Sequence, residues 1–290
     1  MTTVRALKIG DEQALESFLA QHVETTMFLR GNLRQAGIED RGERYQGSYA
    51  AAFENGRVVS AAAHYWSGML VVEAPRALAE VVSCAVSVSG RSVQGILGSW
   101  SQLVEARRSL GLACWPTRLD SREELYAIDL GALRVPTALA DGSVRCRLPH
   151  ASELDLLAGW AAAYGMEALE ERDGQELRAS SRARVEASQT EGRHWLLEAA
   201  GRPVAYTAFN AVLPDCVQVG GVFTPPELRG RGYARCAVAG SLIAARQAGA
   251  LRSVLFTGEE NRAAQAAYRA LGYERVGDYG IVTFESPEES

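Results

Sequence analysis

The sequence predicts an α/β protein made of two consecutive domains. Segments with strand-like alternation take turns with amphipathic helical segments along the whole chain. The length of 290 residues fits two ordinary domains or one large one. The halves also begin alike, at residues 4–11 and 144–151, with a short basic and apolar strand signal before a helix. With 47% hydrophobic and 22% charged residues, each half can bury a core.

In the first half, apolar spacing around Leu15 and Leu29 predicts two helices. Alternating and β-branched stretches then predict strands, at residues 48–53, 57–65, 69–72 and 81–88. After the last of these strands, we expect a helical segment that ends near Leu110.

In the second half, the predicted helices are residues 154–163, 176–188, 231–249 and 261–271. The predicted strands are residues 194–199, 203–212, 216–223, 253–257 and 274–284. Gly201 marks a hairpin turn, and Gly249 and Gly272 close the last two helices. Small and turn-forming residues after Pro136 separate the halves, so we predict domains at residues 1–138 and 139–290.

Composition excludes several classes of protein. Thirty basic against thirty-five acidic side chains give a net charge of −5, the wrong sign for a general nucleic-acid or anionic-membrane binder. The N-terminus meets charge within five residues and lacks the apolar stretch of a signal peptide. The longest uncharged run, residues 58–72, is shorter than the roughly 20 residues that span a bilayer. We therefore expect a soluble, cytoplasmic protein with small-molecule or protein partners.

Cysteine and histidine spacing indicates neither a disulfide framework nor a metal site. The five cysteines are odd in number and widely separated, without a C-x-x-C pair: Cys84, Cys114, Cys146, Cys216 and Cys236. The four histidines share no metal-ligand spacing, so each is expected to be an ordinary surface or core residue: His22, His64, His150 and His194. No metal is predicted, and a reducing compartment fits best.

The segment 217–234 carries the chemical signal: a strand, a proline-marked turn and a Gly/Arg loop that opens a helix. Gly230 and Gly232 let successive backbone N–H groups approach an anion, and the helix N-terminus adds partial positive charge. Arg229 and Arg231 would strengthen that site for a pyrophosphate. A P-loop would need a Gly-Lys-Ser/Thr sequence, which is absent. The NAD-type G-x-G-x-x-G fingerprint has Arg235 in place of its third glycine, so that alternative is weak.

This loop resembles the R/Q-x-x-G-x-G/A signature of the GCN5-related N-acetyltransferase (GNAT) superfamily. The matching residues are Arg229, Gly230, Arg231, Gly232, Tyr233 and Ala234. Downstream, residues 261–273 are similar to the helix that starts at an Asn in this family and ends in Tyr-x-x-Leu-Gly-Tyr/Phe. The resemblance covers roughly residues 144–285. It implies a mixed, mostly antiparallel sheet flanked by helices that binds acetyl-CoA as the acyl donor.

The resemblance also implies roles for individual residues. Val222, Phe223 and Thr224 would face the pantetheine arm, after a strand in which Gly220 and Gly221 predict a bulge. The six loop residues would bind the pyrophosphate. Asn261 would touch CoA near the pantetheine arm, and Tyr268 would protonate the departing thiolate. The two lie seven residues apart, hence on one helix face.

Simpler explanations exist for the same residues. Asn261 is also a good helix N-cap, and Tyr268 a plausible core aromatic. The arginine-rich stretch 178–184 is predicted to be a solvated helix face, with an active-site lining as the alternative. Five acids lie on elements near the expected cleft, and none is singled out as the general base: Glu198, Asp215, Glu227, Glu259 and Glu260.

The first half resembles a degenerate copy of the same fold. Its expected counterpart of the loop, residues 88–95, has one arginine and no G-x-G/A pair, and no segment matches residues 261–273. It would then wall one side of the acceptor cleft or provide a packing surface. The resulting hypothesis is direct transfer of an acetyl or short acyl group from acyl-CoA to a primary amine. A non-catalytic acyl-CoA sensor or scaffold is the alternative. The sequence specifies neither the amine nor the oligomeric state.

Overall fold

The computed structural model describes residues 2–285 of the chain and divides it into two compact units. Unit 1 is Met1–Leu125 with Val276–Ser290, of which residues 2–125 and 276–285 are described, and unit 2 is Tyr126–Arg275. The domain division at residues 138 and 139 stays a prediction. By packing, residues 276–285 belong to unit 1, because residues 279–283 pair antiparallel with residues 95–99.

The strands of the described residues are, in chain order, β1 (Thr3–Ala6), β2 (Gly47–Glu54), β3 (Arg57–Tyr65), β4 (Met69–Glu73), β5 (Gly95–Ser99), β6 (Thr117–Asp129), β7 (Val144–Arg147), β8 (His194–Ala199), β9 (Arg202–Val212), β10 (Cys216–Phe223), β11 (Arg252–Gly258) and β12 (Glu274–Phe284). The α-helices are α1 (Glu12–Leu19), α2 (Met27–Ala36), α3 (Leu78–Ser89), α4 (Trp100–Ser109), α5 (Thr137–Ala140), α6 (Leu154–Ala168), α7 (Gln175–Glu191), α8 (Tyr233–Gln247) and α9 (Arg262–Leu271). Short 3₁₀ turns cover Leu130–Ala132, Ala151–Glu153 and Pro226–Leu228.

Unit 1 is a sheet with helices on both faces. Its strand order is β1-β2-β3-β4-β5-β12-β6, with β4 and β5 parallel and the pairs from β1 to β4 antiparallel. Alternate residues of β2 point to opposite faces: Tyr49 packs with α1 and α2, whereas Ala50 packs with α3 and α4. Both faces are buried, which is why β2 and β3 contain runs of small apolar residues.

Unit 2 repeats this plan with strand order β6-β11-β10-β9-β8-β7. Strands β10 and β11 are parallel, and the pairs from β10 through β7 are antiparallel. Val217 and Val219 pack against α8 and α9, while Leu196 and Tyr206 pack against α6 and α7. The predicted α/β class, with a mostly antiparallel sheet flanked by helices, is confirmed.

The strand predicted at residues 81–88 is wrong, because these residues belong to helix α3. Val81, Val82 and Ala85 are buried on one side of the helix, and Val88 is exposed. The four valines among residues 81–88 suggested a strand, but the buried positions follow the 3.6-residue period of a helix. As a result, β5 stands where the helix was expected to begin, and the helix α4 follows it.

Gly240 of α8 provides a test of the packing in unit 2. A methyl group there would overlap the side chain of Cys146 on β7, so Gly240→Ala should lower the free energy of unfolding by about 1–3 kcal/mol. Gly159→Ala in α6 meets nothing within 4 Å and should raise stability by roughly 0.5–1 kcal/mol. Urea unfolding of both variants checks this. An unchanged midpoint for Gly240→Ala would contradict the α8–β7 contact.

Candidate active site

Strands β10 and β11 separate after three paired residues. Their parallel register runs from Cys216 opposite Arg252 to Gln218 opposite Val254, yet β10 continues to Phe223 and β11 to Gly258. Beyond Gln218, the backbone of β10 has no registered partner on β11 within the described residues. The separation leaves hydrogen-bonding groups of β10 available for a ligand that enters between the strands.

The predicted bulge lies in β10 at Gly221. Gly220 is opposite Ala208 of β9 and Phe223 is opposite Tyr206, so β10 holds one residue more than its partner. Gly221 has φ +58°, the left-handed conformation that glycine adopts without strain. The extra residue turns Phe223 towards Trp160 of α6, with ring centroids 6.0 Å apart. Strict alternation would have placed Phe223 on the α8 face.

The loop before α8 presents the start of the helix without a side-chain cap. Gly230 and Gly232 have φ values of +75° and +77°, and Gly232 is the N-cap residue. A methyl group at Gly230 would meet nothing within 4 Å, so glycine is required there by backbone conformation and not by space. No side chain among the described residues accepts from the first turn of α8. Its N–H groups and the helix dipole therefore offer hydrogen-bond donors and partial positive charge, which suit an anion.

The positive charges around this loop differ from the expected ones. Both terminal nitrogens of Arg229 bind the carboxylate of Glu167, at 2.8 and 2.6 Å, and its Nε donates to the carbonyl of Thr224 at 2.9 Å. The side chain of Arg229 is still 42% exposed. Arg231 is exposed and has no hydrogen bond or ion pair within residues 2–285. Arg235, in the first turn of α8, has a buried Nε that finds no hydrogen-bond partner among the described residues.

Arg235 was missed as a charge at the loop because sequence reasoning treated it only as the residue that replaces a third glycine. Its place three residues after Gly232, in the first helical turn, was the available signal.

Two further buried polar atoms on the same stretch lack a partner in the described part of the chain, Oε1 of Gln218 and Oγ1 of Thr224. Such atoms are rare in native structures, and these two lie on the strand and turn that lead to the loop.

Asn261 is the N-cap residue of α9, and Tyr268 lies within that helix. Asn261 is exposed and Tyr268 is buried, so the two do not share an exposed face. The Oδ1 of Asn261 accepts the N–H of Ala264 at 3.1 Å, so its role as an N-cap is confirmed. Tyr268 is 7% exposed, and its ring centroid lies 6.4 Å from that of Tyr126 and 6.0 Å from that of Tyr273. The predicted roles of Asn261 and Tyr268 towards CoA stay predictions.

A buried histidine and tyrosine lie beside the bulge. His194 Nε2 is 2.8 Å from Gln189 Oε1, which can only accept, so Nε2 carries the hydrogen. Nδ1 then accepts the hydroxyl of Tyr206 at 3.3 Å. A ring carbon of Tyr206 is 3.7 Å from the position that a Cβ of Gly221 would occupy. The sequence predicted His194 to be an ordinary surface or core residue, and the structure places it in the core; Tyr206 had no signal beyond its place in a strand.

One of the five candidate acids, Glu198, and the three arginines of α7 lie in ion pairs. Glu198 binds Arg147 at 2.9 Å, and the same guanidinium binds Glu153, which lowers the pKa of Glu153 to about 2. The arginines of α7 each face acids and are exposed, as a solvated helix face requires; the pairs join Arg178 to Asp173, Arg182 to Asp155 and Glu186, and Arg184 to Glu171. No acid is thereby marked as a general base.

The corresponding region of unit 1 is closed by its own side chains. Strands β4 and β5 stay paired through four residues and each ends one residue later. The connection to α3 contains no glycine, and its Ala74 N–H donates to Gln102 Oε1 at 2.5 Å. The N–H of Arg76 donates to Ser60 Oγ at 2.9 Å. The expected counterpart at residues 88–95 is therefore wrong: it follows α3, whereas the true counterpart is residues 74–77.

Comparison with known proteins identifies this arrangement in unit 2. Residues 157–273 match the model of the Acetyltransferase (GNAT) family. Residues 157–273 therefore carry a GNAT-family domain. The match contains the α6 and α7 helices, the bulged strand, the glycine loop and α9. Proteins of this family use acetyl-CoA as the acyl donor, so the domain belongs to an acyl-transfer family.

Solved structures share the fold over nearly the whole chain. A Drosophila protein is similar over 97% of this chain and 98% of its own, with 11% identity and a TM-score of 0.67. The similarity to a tandem GNAT protein from the clavulanic acid biosynthesis pathway extends over 97% of each of the two chains, with 16% identity and a TM-score of 0.56. The similarity to a GCN5-related N-acetyltransferase from Sphaerobacter thermophilus extends over 97% of this chain and 94% of that protein, with 16% identity and a TM-score of 0.58. These likenesses confirm the predicted tandem fold.

No curated protein matches the sequence. Within residues 2–285, no helix is long and apolar enough to cross a membrane. The same residues contain no group of three or more His, Cys, Asp or Glu side chains placed to hold a metal ion.

All five cysteines are free thiols, and burial raises the pKa of Cys146 to about 12 and that of Cys236 above its usual value. Protonated, buried thiols of this kind pack as small apolar groups.

His194 yields a pH prediction. Burial, aided by the nearby Arg193 charge, lowers the pKa of His194 from 6.5 to about 4, so the folded protein holds it neutral. Between pH 6.5 and 4 the unfolded chain binds a proton here that the folded chain does not, and stability should fall as the pH is lowered through that window. A two-dimensional NMR titration should find the His194 ring neutral at pH 5. His194→Gln should flatten the pH dependence of the unfolding midpoint; an unaltered slope would contradict the assignment.

Proposed function

We propose that the GNAT domain binds acetyl-CoA, or a similar short acyl-CoA, and transfers the acyl group directly to a primary amine. The observation that carries the proposal is the uncapped start of α8, where Gly230 and Gly232 adopt left-handed conformations directly after a bulged and separated strand. A helix N-terminus of this kind suits a diphosphate, and the separated strands suit an extended arm.

In this proposal the diphosphate binds the backbone of residues 229–234, with the charges of Arg231 and Arg235 beside it. The pantetheine arm lies along Val222, Phe223 and Thr224. The buried Oγ1 of Thr224, which lacks a partner in the described residues, supports this placement because the arm carries amide groups that a hydroxyl can bind. Asn261, whose Oδ1 already caps α9, keeps its amide N–H groups for the ligand.

The chemistry is one displacement at the thioester carbonyl. The neutral amine attacks the carbonyl carbon, the C–N bond forms as the C–S bond breaks, and the amine loses a proton while the thiolate gains one. Backbone N–H groups near Gly221 are proposed to stabilise the negative charge that develops on the carbonyl oxygen. Tyr268 is proposed to supply the proton to the thiolate. The acceptor is a primary amine of a small molecule or a protein.

Unit 1 is proposed to be a degenerate acetyltransferase-like domain that does not bind acyl-CoA. Supporting this, the amides of Ala74 and Arg76 are already satisfied by side chains of unit 1. The parallel pairing of β4 and β5 likewise leaves little strand beyond its last pair. A diphosphate would have to displace those bonds before it could bind.

Gly232→Asp tests the donor site. A carboxylate at the start of α8 repels phosphate and strains a residue whose φ is +77°, so the affinity for acetyl-CoA should fall at least tenfold. Gly249→Asp is the matched control, because Gly249 lies just beyond the other end of α8 with φ +104° and open space. Calorimetric titration measures both. Equal affinity of wild type and Gly232→Asp would remove the loop from the site.

Tyr268→Phe separates an enzyme from a non-catalytic acyl-CoA sensor. The ring is buried, so phenylalanine keeps its packing against Tyr126 and Tyr273. If the hydroxyl protonates the thiolate, release of free CoA thiol with a panel of primary amines should fall about tenfold or more, with acetyl-CoA affinity retained. Wild-type turnover by the variant would remove this role, and binding without turnover by the wild type would favour the sensor.

A further inference from the structure

Glu167 is an acid held against the loop that the proposed diphosphate would use. It lies in the last turn of α6, and both of its oxygens bind the terminal nitrogens of Arg229, at 2.8 and 2.6 Å. Trp160, two turns earlier on the same helix, contacts Phe223, and the guanidinium carbon of Arg229 lies 5.8 Å from the centre of the Phe223 ring. One face of α6 therefore contacts both the strand end and the loop.

Arg229 is attached to the loop independently of Glu167. Its Nε donates to the carbonyl of Thr224, five residues earlier, at 2.9 Å. This bond leaves the two terminal nitrogens as an outward fork, which matches a carboxylate and a phosphate equally well. Both side chains of the pair are accessible, 42% for Arg229 and 54% for Glu167, so the fork can exchange partners in water.

We infer that Glu167 is an affinity-determining residue of the acyl-CoA site, occupying the Arg229 fork that the diphosphate takes over on binding. The inference rests on the proposed function. Binding of the donor then has to break the Glu167–Arg229 pair, and the freed carboxylate stays near the incoming phosphates and repels them. Both effects weaken donor binding. Because the pair is exposed and screened, the effect is moderate.

A different role for the pair makes the opposite prediction. If Glu167 only holds Arg229 and the loop in the binding conformation, its removal should weaken acetyl-CoA binding. If Glu167 competes with the diphosphate, its removal should strengthen binding, and only while Arg229 is present. The sign of the change and its dependence on Arg229 therefore distinguish the two roles.

The experiment is a double-mutant cycle on acetyl-CoA affinity, measured by calorimetry on the full chain. Glu167→Gln should bind about three- to tenfold more tightly than wild type. In an Arg229→Gln background, the same substitution should change affinity less than twofold, since no guanidinium is left to release. Glu176→Gln, an exposed acid of α7 without an ion pair in the described residues, controls for net charge and should change affinity less than twofold.

S-acetylpantetheine, which has the thioester arm but no phosphate, is the matched ligand. Its affinity should not respond to Glu167→Gln, and the gain for acetyl-CoA should shrink at high salt. Unchanged or weaker acetyl-CoA binding by Glu167→Gln, with a binding wild type, overturns this inference and leaves the proposed function standing. If neither protein binds acetyl-CoA at any concentration that calorimetry reaches, the proposed function falls and this inference with it.

Discussion

The properties of the site depend on backbone conformations that only glycine adopts easily. Gly221 in the bulge and Gly230 and Gly232 in the loop all have positive φ values. The first displaces β10 by one residue relative to β9, and the other two bring the chain into α8 without a side-chain cap. A residue with a Cβ at any of the three positions is strained, whatever space surrounds it. The conformation of a few residues thus determines where an anion and an extended arm can bind.

The contrast between the two units illustrates the same constraint. In each unit a helix connects the two strands of a parallel pair, but only in unit 2 do the strands separate early and glycines with positive φ values precede the helix within the described residues. In unit 1 the side chains of Ser60 and Gln102 occupy the backbone donors before α3. A backbone N–H that is already bonded contributes little to ligand binding, because a new bond replaces an old one. Sharing a fold therefore does not imply sharing a site.

Electrostatics around the site are balanced rather than simply positive. Arg229 is neutralised by Glu167, while Arg231 stays exposed and Arg235 has a buried nitrogen without a partner in the described residues. Beside the bulge, His194 is held neutral by burial, and the pKa of Tyr206 is raised for the same reason. A neutral, poorly hydrated surrounding suits an acyl transfer in which the attacking amine must be uncharged.

The features that could be predicted from the sequence are those that depend on neighbouring residues. Strand β8, strand β10 and strand β12 begin and end where alternation predicts, and the bulge, the glycine loop and the Asn261 cap follow from backbone preferences that act within a few residues. The family signature was likewise a local pattern, and the family match covers it. The wrong strand prediction for residues 81–88 also has a local cause, because β-branched residues, which favour strands, occupy positions of helix α3 there.

The contacts between residues far apart in the chain could not be predicted and are seen only in the folded protein. Glu167 binds an arginine 62 residues away, Tyr206 reaches the ring of a histidine on the neighbouring strand, and β12 pairs with β5, which lies 180–188 positions earlier in the chain. Charge pairing, burial and sheet partners depend on distances in space, and no spacing along the chain encodes them. For this reason the loop could be recognised from its amino-acid sequence, whereas Glu167 could not be predicted as the partner of Arg229.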